Sequence, residues 1–129
     1  MLATRPVTTV TFPGQEDHVP AVRAYVRVLY EDHPRLDDLL LILTELITNA
    51  VRHTRSGERG GAVTVNVLGP PYEPRFEIQD QGGKAHSEPR HRDPADAEGG
   101  YGLRLVEALA SRWGADSWPG GTRTWFEIR

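Results

Sequence analysis

The chain has 129 residues, 38% of them apolar, which is the size of one domain with a single hydrophobic core. A net charge of −3 gives no electrostatic reason to expect a nucleic acid or an anionic membrane as partner, and the absence of cysteine excludes disulfides and thiolate metal sites. No apolar stretch approaches the length that crosses a bilayer, and the N-terminus lacks the pattern of a signal peptide, so we expect a single cytoplasmic domain over residues 1–129.

Two elements are predicted in the first quarter of the chain. A β-branched and aromatic segment from Val7 to Phe12 ends at Pro13-Gly14 and predicts a strand at a sheet edge. A helix is predicted to follow, from Glu16 or Asp17 to about Asp32, with Asp17 as its N-cap. Its buried stripe is expected to contain Val19, Val22, Val26 and Leu29, with Tyr25 alongside.

A second helix, predicted to begin at Leu36 and to run for about 20 residues, has an apolar face and a polar edge. The polar edge contains Glu45, Asn49 and His53, spaced four residues apart. The pattern is also typical of a core helix with an ordinary solvated face. Because the apolar Leu41 and Ile42 flank Glu45, we interpret this edge as a half-buried carboxylate beside an amide. That arrangement is costly unless a cation or a proton is bound there. The apolar face consists of Leu36, Leu39, Leu40, Leu43, Leu46, Ile47, Ala50 and Val51.

An antiparallel hairpin is predicted after this helix. The segment 55–61 is polar and rich in glycine, which predicts the end of the helix and a turn. Residues alternate between apolar and polar from Ala62 to Leu68 and again from Arg75 to Gln79, on either side of a turn at Gly69-Pro70-Pro71. Both segments therefore read as half-buried strands.

The last third contains a polar segment, a helix and a second hairpin. The segment from Lys84 to Gly100 is nearly devoid of large apolar residues and predicts a long loop of the kind that forms a lid. A glycine-rich start at 99–102 leads into a helix that we expect to end at Trp113-Gly114. Such a start attracts anions, although it is also typical of a lid hinge. The final strands are predicted at 115–118 and 122–128, with Trp125 and Phe126 contributing to the core.

Together these motifs resemble the ATP-binding domain shared by gyrase, heat-shock chaperone 90, histidine kinases and MutL, the GHKL superfamily. The resemblance rests on E-L-I-T-N-A-V-R-H, D-Q-G-G after a strand, a polar lid, G-Y-G-L at a helix start and G-G-T before the final strand. It covers essentially the whole chain and is greatest to bacterial anti-sigma-factor serine/threonine kinases. It implies the Bergerat fold, an α+β two-layer sandwich in which three helices cover one face of a mixed, mostly antiparallel sheet, with an ATP lid at about 82–100.

The resemblance implies a phosphate-binding half of the site on the second helix. Glu45 matches the residue that acts as general base or orients the attacking hydroxyl. Asn49 matches the side chain whose oxygen binds Mg²⁺, and His53 matches a polar residue near the phosphates. By itself, a histidine late on a helix is more typical of a structural group at the C-terminus.

The base-binding half is implied by the later motifs. Asp80 matches the residue that accepts a hydrogen bond from the exocyclic amine of adenine, and Gly82 matches the glycine against which the base lies. By itself Asp80 is also typical of a turn after a strand, and Thr122, which matches a residue near that aspartate, is equally typical of a strand start. The lid-end positions beside the phosphates are matched by Gly100 and Gly102, with Leu103 packing under them.

Two departures from the family pattern concern the lid. The usual D-x-G-x-G run is D-Q-G-G-K here, so the second glycine is shifted. Related kinases often have an arginine at the lid end that contacts the γ-phosphate, where this chain has Glu98 and Tyr101. The candidates to replace it are Arg90, Arg92 and Arg104. These departures affect the expected catalytic rate more than ATP binding.

The implied function is an ATP- and Mg²⁺-dependent serine/threonine protein kinase that acts as an anti-sigma factor. Its partners would be a sigma factor and an antagonist protein that it phosphorylates, with no direct contact to nucleic acid or membrane. A homodimer through the first helix and strand is consistent with such folds. The alternatives are a non-catalytic ATP-binding module that sequesters a regulatory partner, and a detached sensor-kinase ATPase domain, which the lack of a phosphoacceptor helix pair disfavours.

Overall fold

Five strands form one sheet in the computed structural model, which describes residues 8–83 and 100–129, with the side chains of 100–103 outside that description. The strands are β1 (Thr8–Pro13), β2 (Ala62–Leu68), β3 (Arg75–Asp80), β4 (Arg112–Trp118) and β5 (Gly121–Glu127), in the spatial order β1-β2-β3-β5-β4. The predicted edge position of β1 is confirmed. The start of that strand at Val7 and the lid residues 84–99 lie outside the described residues.

Each pairing between these strands is antiparallel, whereas a mixed, mostly antiparallel sheet was expected. The connectivity explains the difference. β5 returns from β4 by a tight hairpin and takes the position beside β3. β4, which would be parallel to β3, is therefore separated from it by β5 and lies at the outer edge.

Three helices form the second layer, as the two-layer α+β architecture predicts: α1 (Val19–Leu29), α2 (Leu36–His53) and α3 (Gly100–Leu109). The predicted start of α2 at Leu36 is confirmed. The N-cap predicted at Asp17 is wrong, because residues 16–18 form a 3-10 turn and α1 begins at Val19. Pro20 fits this position, since the first turn of a helix does not need its missing N–H.

α1 and α3 both end earlier in the chain than predicted. α1 ends at Leu29 instead of Asp32, and Leu29 is 41% exposed while Tyr30 is buried in its place. α3 ends at Leu109 instead of Trp113-Gly114. The backbone N–H of Ser111 already donates to the carbonyl oxygen of Glu127 at 2.8 Å, so Trp113 belongs to β4.

The core lies between the helices and one face of the sheet. Phe76 is fully buried, stacks on Phe126 with ring centroids 5.3 Å apart and meets the edge of Tyr30 at 5.7 Å. Phe126 is therefore the core aromatic of β5. Trp125, also predicted to contribute to the core, points to the opposite face, where the Arg75 guanidinium lies 3.9 Å from its ring centroid. Strand alternation places the two neighbours on opposite faces.

Candidate functional site

The polar edge of α2 forms the first part of the site. Glu45 and Asn49 are partly buried, as predicted, whereas His53 is exposed at the end of the helix. Of the two apolar neighbours of Glu45, Ile42 is fully buried but Leu41 is 43% exposed. The apolar environment expected around the carboxylate is thus present on one side only.

Arg52 lies on the same edge and is hydrogen-bonded to Glu16, in the 3-10 turn before α1. This hydrogen bond and the charge of Glu16 raise the pKa of Arg52, and the charge of Glu45 adds a smaller effect in the same direction. Glu45 and Arg52 are therefore close enough to interact electrostatically. The edge combines a carboxylate, an amide and a cation.

Asp80, the last residue of β3, forms the second part of the site. Its Oδ1 accepts hydrogen bonds from the Thr122 hydroxyl at 2.6 Å and from the Gly82 backbone N–H at 2.8 Å. Burial raises the pKa of Asp80, and these hydrogen bonds oppose the rise. Within residues 8–83 and 100–129, no cationic side chain forms an ion pair with this carboxylate. Among these described residues, the donors to the carboxylate are neutral.

The turn after Asp80 is closely packed against the sheet and the end of α2. Gly82 is buried and has φ of +84°, a conformation that favours glycine. A Cβ at this position would lie 3.4 Å from the Gly121 Cα and would occupy the space beside the Asp80 turn. The Gly82 carbonyl oxygen accepts from the Arg55 N–H at 2.8 Å, so the turn is joined directly to the residues that follow α2.

α3 is the third element that carries predicted site residues. The Arg35 Nη2 donates to the Leu109 carbonyl oxygen at 2.6 Å, which places the C-terminal end of α3 beside the N-terminal end of α2. The 10 residues of α3 span about 15 Å. α3 packs against α2. The first N–H groups of a helix have no partner within the helix, so the start of α3 at Gly100 offers donors to an anion.

The structure thus brings together many of the predicted residues. Asp80, Gly82 and Thr122 share direct hydrogen bonds, whereas Glu45 and Asn49 lie on the polar edge of α2, and Gly100 and Gly102 lie in the first turn of α3. The Leu103 side chain, Glu98 and the candidate arginines Arg90 and Arg92 lie outside the described residues. Arg104, the remaining cationic candidate, is exposed on α3.

One residue of this region has no counterpart in the sequence-based prediction. Ser56, in a 3-10 turn at 55–57, is fully buried, and its hydroxyl oxygen accepts the Gln81 N–H at 2.9 Å. A serine in a glycine-rich polar segment is ordinarily solvated, so composition alone gives no signal for it. Only its place between the end of α2 and the turn after Asp80 distinguishes it.

The Asp80 carboxylate, the Asn49 amide and the glycine-rich backbone fit an adenine nucleotide with Mg²⁺. A partly buried carboxylate that has no ion-pair partner in the described part of the chain can accept a hydrogen bond from an amine, and glycine-rich backbone can approach a base or a phosphate closely. Among the described residues there is no cluster of three or more His, Asp or Glu side chains that would hold a metal ion alone. A single amide oxygen, such as that of Asn49, suits Mg²⁺ when phosphate oxygens and water supply the other ligands.

Comparison with known proteins identifies similar sequences. The family model of the histidine kinase-like ATPase domain matches residues 12–128. The serine-protein kinase RsbW of Listeria monocytogenes serovar 1/2a is 36% identical over 86 residues, which cover 57% of this chain and 54% of that protein. RsbW of Listeria monocytogenes serotype 4a matches with the same identity and coverage. The chain therefore spans about half the length of the curated relatives it matches.

A solved structure shares the fold. The crystal structure of the RsbU and RsbW domains of a Mycobacterium tuberculosis protein superposes with a TM-score of 0.63 at 23% identity. The match covers 96% of this chain and 33% of that one. Of the helices in the described part of the chain, none combines the length and apolar character needed to span a membrane.

Proposed function

Because the chain belongs to the family of histidine kinase-like ATPase domains, we propose that it binds ATP with Mg²⁺ and transfers the γ-phosphoryl group to a serine or threonine of a protein. The observation that carries this proposal is the Asp80 carboxylate. It is held by Thr122 and Gly82, is partly buried, and has no ion-pair partner among the described residues. An unpaired charge in such a place is costly, which favours a role in binding over a role in stability.

Asp80 accepts a hydrogen bond from the exocyclic amine of adenine in this proposal. Guanine presents a carbonyl oxygen at that position and would face the carboxylate with a second acceptor, so the site discriminates between the two bases. Thr122 orients the carboxylate through its hydroxyl donor. Gly82, whose φ of +84° favours glycine, is the residue against which the base lies in this proposal.

The middle of α2 and the start of α3 hold the triphosphate. The amide oxygen of Asn49 would be a ligand for Mg²⁺, which would neutralise charge on the phosphate oxygens. The free N–H groups at the start of α3, near Gly100 and Gly102, bind phosphate oxygens. His53 is exposed at the end of α2, and its role is limited to the rim of this half.

Glu45 is the general base of the transfer reaction. The hydroxyl oxygen of the substrate serine or threonine attacks the γ-phosphorus, the bond from that phosphorus to the ADP oxygen breaks, and the hydroxyl proton passes to Glu45. Phosphoryl transfer needs mainly positioning and charge stabilisation from the protein. One carboxylate beside a magnesium ligand on the same helix therefore suffices.

The protein substrate in this proposal is an anti-sigma-factor antagonist, and the chain also sequesters a sigma factor in the cytoplasm. The similarity to RsbW, which is named a serine-protein kinase, supports this assignment. Residues 1–129 form a single domain in the proposal, with the ATP lid at about 82–100. Sequestration without phosphorylation is the alternative.

Calorimetry tests the nucleotide site. The unaltered protein should bind ATP in the presence of Mg²⁺ more tightly than GTP, and Asp80→Asn should weaken ATP binding by roughly 10- to 100-fold, since a hydrogen bond to a charged group is lost. Asp116→Asn, which alters an aspartate on the opposite face of the sheet, is the matched control and should leave ATP binding unchanged. If the unaltered protein does not bind ATP, the proposal fails.

A transfer assay with γ-labelled ATP separates the kinase from the binding module. Candidate antagonist proteins are incubated with the unaltered chain and with Glu45→Gln, which keeps the shape of the side chain but cannot take the proton. The variant should bind ATP normally and lose at least about a hundredfold in transfer rate. ATP binding without transfer by the unaltered protein, across antagonists that it captures, would support sequestration alone.

A further inference from the structure

Ser56 is an unusually placed polar residue. It is fully buried in the short 3-10 turn at 55–57 that follows α2. Buried hydroxyl groups are ordinarily hydrogen-bonded, and Ser56 accepts the backbone N–H of Gln81 at 2.9 Å. Gln81 lies between Asp80 and Gly82, the two residues at the base-binding half of the site. The buried hydroxyl therefore touches the middle of that turn.

The backbone of Ser56 is itself held on two sides. Its N–H donates to the Thr54 hydroxyl at 3.1 Å, and that hydroxyl donates in turn to the Ala50 carbonyl oxygen in the last turns of α2. On the other side its carbonyl oxygen is packed against two glycines. A Cβ at Gly14 would lie 1.7 Å from this oxygen, and a Cβ at Gly61 would lie 2.2 Å from it. The hydroxyl thus projects from a backbone with little freedom to move.

Two further hydrogen bonds join the turn after Asp80 to the rest of the fold. The Arg55 N–H donates to the Gly82 carbonyl oxygen at 2.8 Å, and the Gln81 side-chain oxygen accepts the Ala62 N–H at 2.7 Å. The contacts that Ser56 makes with Gln81 and Arg55 makes with Gly82 come from the segment immediately after α2. The same helix contains Glu45 and Asn49, so the two halves of the site are connected through residues 54–56.

We propose that Ser56 is a positioning residue for base recognition, and that its buried hydroxyl holds the Gln81 backbone so that the Asp80 carboxylate faces the adenine amine. This inference rests on the proposed nucleotide-binding function. Ser56 does not contact the nucleotide in this scheme. It acts through Asp80 and fixes the distance between the base-binding turn and the magnesium side of α2.

A double-mutant cycle on ATP affinity tests the proposal with the complete chain. Ser56→Ala removes the acceptor and should weaken ATP binding about tenfold in the unaltered background, because the turn is no longer fixed. In the Asp80→Asn background the same change should cost less than about twofold, since the group that Ser56 positions has been altered already. Ser111→Ala is the matched control, because the Ser111 hydroxyl accepts the Arg129 N–H at 3.1 Å far from Asp80. It should leave ATP affinity unchanged.

The possible outcomes are distinguishable. Equal losses from Ser56→Ala in both backgrounds, or no loss in either, would overturn the positioning role while leaving ATP binding intact. Absence of ATP binding by the unaltered protein would overturn both proposals. Should Ser56→Ala fail to fold, Ser56→Cys keeps the shape with a weaker acceptor and should show the same pattern.

Hydrogen exchange on the unaltered protein gives an independent result. Without nucleotide, the Gln81 amide should exchange at least about a hundredfold more slowly than an unprotected amide, because its acceptor is buried and already in place. Exchange of that amide at the rate of an exposed loop would overturn the proposal. A protected amide would support a turn that is fixed before ATP binds.

Discussion

Two aspartates on opposite faces of the sheet have different hydrogen-bond partners and oppositely shifted pKa values. Thr122 and Arg123 are consecutive residues of β5, and alternation along the strand directs them to opposite faces. On the helix-covered face the Thr122 hydroxyl donates to Asp80, whereas on the open face Arg123 donates two hydrogen bonds to Asp116. Burial raises the pKa of Asp80, while the hydrogen bond from Arg123 lowers the pKa of Asp116.

The two carboxylates differ in whether a cation compensates their charge. Asp116 has a cation in contact and is exposed, so its charge costs little. Asp80 is partly buried and, within residues 8–83 and 100–129, receives hydroxyl and backbone donors but no cation, so its charge is less favourable in the folded chain than in the unfolded one. Groups maintained at such a cost are characteristic of binding sites. The predictions below alter each side of this comparison in turn.

The largest effect is expected from Asp80→Asn, which should lower ATP affinity and raise stability together. The pKa of Asp80 is raised above its ordinary value of 3.8, so its ionisation destabilises the fold as pH rises through the raised value. At neutral pH the variant should have a higher Tm than the unaltered protein, although it binds ATP roughly 10- to 100-fold more weakly. Thermal denaturation from pH 3 to pH 8 measures the first effect and calorimetry the second.

The pH profile is the decisive part of that experiment. Below the ordinary pKa both side chains are neutral, so the difference in Tm between the two proteins should disappear at the acidic end. A variant less stable than the unaltered protein at neutral pH would show that the Asp80 charge serves the fold, as that of Asp116 does. The comparison between the two faces would then be wrong.

Arg75→Ala should have the next largest effect, on stability alone. Arg75 contacts Glu77 at 3.2 Å and Glu127 at 3.3 Å on the open face, and it also stacks on Trp125. The two glutamate side chains are only 12% and 16% exposed, so removing the cation leaves both poorly solvated without this partner. We expect a loss of about 2 kcal/mol in the free energy of unfolding.

Urea denaturation measures that loss, and Arg75→Lys provides its control. Lysine keeps the charge but not the planar stacking on Trp125, so it should recover part of the stability. ATP affinity should stay within about twofold of the unaltered value in both variants. A parallel loss of ATP affinity would mean that the open face contributes to the nucleotide site.

Thr122→Val should have a moderate effect on ATP binding, with a characteristic pH dependence. The Thr122 hydroxyl stabilises the ionised form of Asp80, so valine raises the pKa of Asp80 further. ATP affinity should fall severalfold at neutral pH, since one hydrogen bond is worth about 1 kcal/mol. On acidification it should also decline from a higher pH than in the unaltered protein.

Calorimetry across pH 5 to pH 8 tests this, with Thr122→Ser as the matched variant. Serine keeps the hydroxyl and loses only a methyl group, so its pH profile should follow the unaltered one. Identical profiles for the valine and serine variants would show that the hydroxyl does not support the charge of Asp80.

Local sequence patterns predicted the elements well because each buries one face. The start of α2 at Leu36 and the strands β2 and β3 follow from helical or alternating periodicity. The errors lie where distant contacts decide. The chain leaves α3 before Trp113 because the Ser111 N–H donates to the Glu127 carbonyl oxygen and Arg112 pairs with Glu127 in the sheet, and no residue near Trp113 signals that pairing. The prediction of an N-cap at Asp17 was wrong for a local reason, since Pro20 favours a later helix start.

The candidate site was predictable only in part. The edge formed by Glu45 and Asn49 follows from helical spacing, because four residues bring side chains to one side. That Thr122 meets Asp80 depends on the register between β3 and β5, which only the family resemblance indicated. The burial of Ser56 depends on three separate segments that converge after α2, and no periodicity encodes that convergence.

The smallest effect is expected from Asp116→Asn, which alters the aspartate that is ion-paired with Arg123. Arg123 lowers the pKa of Asp116, so the charge adds stability above the ordinary pKa, and that contribution disappears as pH falls through the lowered value. Because the pair is exposed, screening limits its contribution, and the variant should lose no more than about 2 °C in Tm at neutral pH. The loss should shrink further in high salt. Thermal denaturation at low and high salt measures both effects, and a Tm that rises in the variant, as expected for Asp80→Asn, would remove the distinction between the two faces.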